Sequence, residues 1–470
     1  MKRTLLCLAA VFAIAGDGRA QIEAQAQTYD LTLEDCLAGT FGNNPDIRRS
    51  QAEVERAAGD KLVYRSRALP QLAAQVVGGL RGNSLYTTES LKTNASGVIA
   101  TNSTAAGPQS FSALTAQFSQ PLIDVGIPPT LRRGKLEVVL AQQKLNRTVT
   151  EQLHEARVTF LRTLYFRDLV ALYEEIDKRL QANVDREQQR LDVGTGSKAA
   201  LKSAQIQELN LARDLANSRG EYFSAVTRLA ELCGRDLSSA TDGVRQLRLP
   251  KPVGTLHYEP VKPDWTQATA YALQHRVDLK LLQSLVEAAE DDKQVVCAGY
   301  FPLVSLTAST LFLPENVLLS KQTGVVPGQD TRTTELRSGV AWSWSIVDNG
   351  QVTGASRRIE ATRQGYKITW QRLAQNIPRE LAAVEGALQN ADARRDALLK
   401  AVESADENLK LIESQVALGA ATQFDFLKAQ GNLLSVRAGV LDATYTHELA
   451  SAELDRVTGQ YLEYHVAGSQ

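Results

Sequence analysis

One order of landmarks runs through this sequence twice, and that duplication restricts the fold more than any other feature. "NNPDIRRSQAEVERAAGDKLVYRSRALPQL" begins at Asn43, and "QHRVDLKLLQSLVEAAEDDKQVVCAGYFPLV" begins at Gln274. Asp46 recurs as Asp278 and Pro70 as Pro302, both at an offset of 232. Asp124 of "PLIDVG" recurs as Asp348 of "SIVDNG" at 224, and Gly194 and Gly234 recur as Gly419 and Gly459 at 225. The changed offset places a longer insert between Pro70 and Asp124 in the first copy. The predicted organisation is therefore a leader over 1–20, a first repeat over 21–239, a Pro-rich linker over 240–264, a second repeat over 265–462 and a tail over 463–470.

Each copy reads helix, strand, loop, strand, helix, turn, helix. Asn44-Pro45 opens a helix with a capping residue and a proline at its first position, and the pattern extends it to Leu69. Val304, Leu306, Ala308, Thr310 and Phe312 alternate with small polar residues, as do Val340, Trp342, Trp344 and Ile346. Leu114, Ala116 and Phe118 do the same in the first copy, and period two predicts strands. Polar stretches, 81–109 and 314–335, join the strand pairs. Loops of that length are rare in compact domains and normal in outer-membrane barrels. Arg132 to Val193 then predicts a helix of about 93 Å at 1.5 Å per residue. Arg357 to Val416 is its copy, with Pro378 a predicted kink. Leu398, Val402, Ala405, Leu409, Ile412 and Val416 form a heptad seam on it. Leu427, Gly431, Leu434, Ala438, Leu441 and Tyr445 form another on the returning helix. "LRLPKPVGTLHYEPVKPDW" joins the copies; its four prolines exclude a long helix, and it reads as a linker with room for a short strand. Asp264 caps the helix that follows.

The N-terminus carries Met1-Lys2-Arg3, an apolar run from Leu5 to Ala15 and the small residues of Gly18-Arg19-Ala20. This is the pattern of a secretory signal, with Ala24-Gln25-Ala26 as a rival cleavage site. Cys7 lies inside the run, which argues against a lipid-modified mature terminus. No later stretch has the 18 or so apolar residues of a membrane helix. A formal net charge of −1 gives no basic surplus for nucleic acid.

Nothing in the chain organises chemistry. The histidines at 154, 257, 275, 447 and 465 are scattered, and no catalytic constellation, metal site or cofactor site is predicted. Cys36, Cys233 and Cys297 are widely spaced and odd in number, which predicts small buried fillers, not a disulfide framework. "VGTGSK" superficially suggests a phosphate loop, but it follows a polar helix where such a loop follows a strand. Its copy at Gly419 keeps the glycine and drops the lysine. The two glycines instead reverse the chain at helix ends, and Ser197 and Thr422 cap the returning helices.

Four strands cannot seal a membrane-spanning wall, because open edges leave backbone groups unsatisfied in lipid. Three chains would supply twelve strands, an even number within the range of outer-membrane barrels. The predicted fold is thus mainly α with a transmembrane β part: duplicated long helical hairpins forming an α-barrel, and four β-strands per chain completing a 12-stranded trimeric β-barrel. The alternative is a periplasmic coiled-coil scaffold or adaptor outside the membrane, which leaves the aromatic strands without a role.

The duplicated set of "LTLEDCLAGTFGNNPDI", the entries at Pro70 and Pro302, "PLIDVG" with "SIVDNG", and "VGTGSKAALKSAQ" with "LGAATQFDFLKAQ" resembles the TolC-type outer-membrane efflux protein family over Leu31 to Leu462. The resemblance implies a homotrimeric channel in the outer membrane, with its helical part in the periplasm. Its implied partners are a periplasmic adaptor and an inner-membrane pump, and it implies no enzyme activity. It places Val193, Gly194, Ser197, Leu418, Gly419 and Thr422 at the periplasmic tips that meet the adaptor. Asp425 occupies the position of a pore-narrowing carboxylate, and it is also the fourth residue of a capping box begun by Thr422. Lys428 stands where relatives carry a second acid, and Ala200 where the first copy would match Asp425, so a mixed ring of Asp425 and Lys428 is expected.

Overall fold

A computed structural model describes residues 27–81, 87–93, 96–97, 99–105, 109–235, 238–241, 244–313 and 333–460. The expected leader, both cleavage sites, the tail and 314–332 of the second long loop lie outside these residues. The elements in chain order are β1 (Gln27–Leu31), α1 (Leu33–Asn43), α2 (Pro45–Ser66), β2 (Gln71–Arg81), β3 (Thr87–Thr93), β4 (Ile99–Ala105), β5 (Gln109–Ile123), α3 (Ile127–Asp192) and α4 (Lys198–Leu232). There follow β6 (Ser238–Thr241), β7 (Val244–Pro252), α5 (Trp265–His275), α6 (Val277–Cys297), β8 (Leu303–Leu313), β9 (Thr333–Ser343), α7 (Gln351–Ala417) and α8 (Gln423–Thr458). Contacts divide the described residues into two units: one takes in those up to Glu55, within Leu140–Gln283 and from Ile368 on, the other those within Arg56–Val139 and Ser284–Lys367.

The first unit is helical, and matching positions of the two copies fill its cores. Leu229 and Leu454, Leu232 and Val457, and Ile47 and Leu279 are all buried. One cluster gathers Leu31, Ala156, Phe160, Leu164, Leu229 and Leu232 from β1, α3 and α4. Another gathers Ala272, Leu279, Ile377, Leu381, Val384, Leu454 and Val457 from α5 to α8. Pro378 lies inside α7 without ending it, beside the fully buried Ile377. A small sheet of order β1-β7-β6 completes the unit.

The second unit holds a four-stranded antiparallel sheet of order β2-β5-β8-β9. Asp124 and Asp348 lead out of it by the same device. The Asp124 carboxylate accepts the Gly126 N–H at 2.7 Å, and that of Asp348 accepts the Gly350 N–H at 3.0 Å. The Val352 N–H, at 2.9 Å, and then the Gly350 N–H hold the Asp348 carboxyl below its ordinary range.

Several expectations need correction. The first copy opens with an additional short helix, α1, capped by Thr32, and the helix expected after the Asp264 cap is the short α5, followed by a separate helix, α6. α2 stops at Ser66, where the Leu69 N–H turns back to the Ser66 carbonyl, so the expected last residues form a turn. α3 starts five residues before Arg132, because Pro128 and Pro129 sit in a first turn whose N–H groups have no helical partner anyway. Part of the expected loop over 81–109 is the β3–β4 hairpin. The linker strand is the nine-residue β7; its half carrying Pro250 and Pro252 pairs with β1 alone, as edge position allows. Trp344 and Ile346 fall beyond the end of β9.

Candidate functional site

Strand register decides what the sheet can do. Leu72 lies opposite Phe118, Phe118 opposite Ala308, Leu306 opposite Val340, and Val304 opposite Trp342. Opposed residues project to the same face, so one face gathers Leu72, Val76, Leu114, Phe118, Leu306, Val340 and Trp342 from all four strands. That face is uncovered: Leu72 is 75% exposed, Leu336 74% and Trp342 67%. Gln75, Thr115, Gln117, Ser309, Glu335 and Arg337 line a shallow concavity of about 480 Å³ on the polar side. β2, β8 and β9 have 11 residues each. At about 3.3 Å per residue and a tilt of about 45° such a strand rises about 26 Å, close to the ~25 Å apolar band of an outer-membrane barrel. Among the described residues no helix is long and apolar enough to cross a membrane. Among the described residues β2 and β9 end the sheet, with one edge of each unpaired.

The two hairpin turns share one backbone solution. Gly194 has φ +82° and Gly419 φ +76°. The residue after each glycine, Thr195 or Ala420, donates its N–H to the carbonyl five residues back, Arg190 at 2.9 Å or Gln415 at 2.8 Å. A side chain is strained at such φ, and glycine removes the strain. Ser197 then accepts the Ala199 N–H at 3.2 Å. Thr422 accepts the Asp425 N–H at 3.2 Å, and the Asp425 carboxylate accepts the Thr422 N–H at 3.0 Å, a complete capping box. The Thr422 hydroxyl and N–H, with Lys428 a smaller influence, hold the Asp425 carboxyl below its ordinary range. Val193 and Leu418 stand 78% and 84% exposed at the two turns.

Immediately behind the turns the two hairpins are joined. Leu427 is buried among Ile176, Leu180, Ala204 and Leu211 of α3 and α4. One residue set further round, Ala429 and Leu433 pack on Ala405 and Leu409 of α7. Buried Asn183 donates to buried Gln430 at 3.4 Å. Leu427 and Leu434 of the predicted seam on α8 face the first copy's hairpin, and a second stripe, Ala429 and Leu433, faces α7. The sequence carried the alanines of "KSAQ" and "LKAQ" as the signal of close helix approach; nothing in it paired Asn183 with Gln430. Among the described residues no group of three or more metal-ligating side chains gathers.

The family model for outer membrane efflux proteins matches residues 40–235 and 270–460. The outer membrane efflux protein BepC of Brucella suis biovar 1 (strain 1330) is 23% identical over 443 residues, covering 91% of this chain and 85% of that protein. Among solved structures, CusC aligns with a TM-score of 0.71 at 17% identity over 93% of this chain and 94% of its own. The outer membrane protein VceC of Vibrio cholerae aligns at 0.69 and 15%, over 91% and 96%. The two-segment match embraces both copies of the hairpin with its capped glycine turn, and the chain belongs to the outer membrane efflux protein family.

Proposed function

We propose that the chain is the outer-membrane conduit of a tripartite export assembly. Three copies bring their four-stranded sheets together edge to edge, β9 of one against β2 of the next, and close a 12-stranded barrel. The observation that carries this reading is the sheet itself: one uncovered apolar face, one more polar face and two edges that are open among the described residues. Lipid solvates the first, water the second, and only sister subunits satisfy the third. The helical hairpins extend the conduit in the periplasm, where Val193 and Leu418 offer apolar contacts to an adaptor and an inner-membrane pump supplies the energy. Asp425 and Lys428 line the constriction at the tips.

Cross-linking of intact outer membranes, followed by extraction, tests the reading. It expects a three-chain species that leaves the membrane only with detergent and forms conducting pores in planar bilayers. Release of a single chain by carbonate would instead identify a peripheral scaffold.

A further inference from the structure

We propose that Cys36 and Cys233 form a disulfide in the mature protein, clamping α1 to the C-terminal end of α4. The two cysteines are 197 residues apart in sequence, a separation at which no sequence pattern predicts pairing. In the fold their sulfurs lie 3.6 Å apart. Cys36 sits on α1, and Cys233 is the residue that ends α4. Cys36, Gly39 and Thr40 form one stripe on α1, and Cys233 rests on it. Its Sγ is 3.7 Å from the Cys36 carbonyl and 4.0 Å from the Thr40 hydroxyl. A Cβ built at Gly39 would stand 3.7 Å from the Cys233 Cβ, ordinary van der Waals contact, so Cys233 lies directly against this stripe. Closing the gap to the ~2.05 Å of a disulfide needs the sulfurs to move together by about 1.5 Å.

Two further observations point the same way. An outer-membrane protein crosses the periplasm, where dithiols meet oxidants, unlike thiols in the cytosol. The second copy supplies an internal contrast. The offsets relating the copies carry Cys36 onto Ala268 and Cys233 onto Thr458, so no sulfur pair exists there. That corner is held by buried Arg276, which donates to Asp278 at 2.6 Å and to Glu380 at 2.5 Å. The first copy has Asn44 at the position of Arg276, and the sulfur pair supplies the additional tie.

Both thiols are fully buried, so the bond forms before this core closes, by exchange with a disulfide-bearing oxidoreductase. One cysteine thiolate attacks the oxidant's S–S bond and gives a mixed disulfide. The second thiolate displaces the oxidant, and its two sulfurs leave as thiols carrying the two protons. One S–S bond breaks, one forms, and the oxidant takes up both electrons.

The test uses full-length protein isolated from outer membranes in detergent without reductant. It is denatured, treated with N-ethylmaleimide and digested. Peptides bearing Cys36 and Cys233 are expected as one cross-linked species that separates on reduction, with Cys297 alkylated throughout. Alkylation of Cys36 and Cys233 without prior reduction overturns the proposal, as does either cysteine linked to Cys297 or to another chain. A thermal melt checks the clamp separately. Reductant is expected to lower the wild-type midpoint by several degrees and to leave the Cys36→Ser/Cys233→Ser variant unmoved. An unmoved wild type, after mass analysis shows the bond broken, removes the clamping role.

Discussion

Thr422 and Asp425 hold each other at the head of α8: each takes the other's backbone N–H, at 3.2 and 3.0 Å, and the threonine hydroxyl adds a third bond to the carboxylate at 2.6 Å. The carboxylate assigned to the constriction is thus fixed to the helix it starts. Thr422→Ala and Asp425→Ala separate the two roles. Thr422→Ala is expected to cost about 1 kcal/mol of local helix stability and to leave single-channel conductance at the wild-type level. Asp425→Ala is expected to raise conductance and reduce cation preference. The carboxyl is held below its ordinary range, so its charge persists below the usual aspartate pKa of about 3.9 and is lost only as pH falls through the lower folded value. The difference between wild type and Asp425→Ala should therefore survive at pH 4 and fade below it. Matching conductances at neutral pH would leave Asp425 as a cap alone.

Leu427 and Leu418 lie nine residues apart with opposite fates. Leu427 is 1% exposed, packed on α3 and α4, and its loss leaves a cavity between two hairpins. Leu427→Ala is expected to destabilise by about 2–5 kcal/mol, read as a lowered melting midpoint in detergent. Leu418→Ala should stay within about 0.5 kcal/mol of wild type and weaken capture of the adaptor on a biosensor. A destabilised Leu418→Ala, or undiminished adaptor binding, contradicts the assignment of that turn as a docking surface.

Strong local periodicity made the long helices and the sheet legible, and repeated glycines marked the turns. Short elements were harder. The 11 residues of α1 hold three turns, too few for a seam to stand out. Its cap was nonetheless present as Thr32-x-x-Asp35, where Thr32 accepts the Asp35 N–H at 3.1 Å, and that signal would have located the helix. β7 was obscured by Pro250 and Pro252, whose tolerance depends on a partner strand, β1, more than 200 residues away. For the long-range contacts the sequence showed at most small residues where helices come close, never the partner. Leu427 with Ile176, Asn183 with Gln430 and Cys36 with Cys233 are each long-range juxtapositions, and one sequence records residue types without recording which distant ones meet. α8 shows the limit clearly, since apolar stripes on two faces blur the single seam that periodicity looks for.

Glu360 joins α7 to α6 by accepting from Lys293 at 2.9 Å, with Gln364 at 2.8 Å on its other oxygen. The Lys293 ammonium, then the Gln364 amide, hold its carboxyl down to about 2. A lowered folded value means the contribution is complete above the unfolded glutamate pKa of about 4.3 and disappears as pH falls through the folded one. Glu360→Gln should therefore melt below wild type at pH 6 and converge with it near pH 2. A constant gap across that window would show that the charge on Glu360 is not the source.

Trp342 and Leu336 share β9 and its uncovered face, but at different distances from the strand end. Trp342 is the penultimate residue of β9, 6.3 Å ring to ring from Trp344, whose indole N–H donates to the Tyr300 carbonyl at 3.2 Å. An apolar ring with one polar tip satisfied suits the aromatic girdle where a barrel meets the headgroups. Leu336 lies two residues from the middle of the strand, deeper in the hydrocarbon on this reading. The cost of a lipid-facing arginine depends on depth, about 2–4 kcal/mol at the midplane and about 0–1 near an interface. Leu336→Arg is therefore expected to impair folding into vesicles several times more than Trp342→Arg, measured by urea titration of the inserted protein. Brominated acyl chains give an independent reading, since Trp342→Phe should remove much of their quenching while Trp265→Phe, in the helical unit, should not. Equal costs for the two arginines, with quenching indifferent to Trp342, would mean that this face packs against protein and not against lipid.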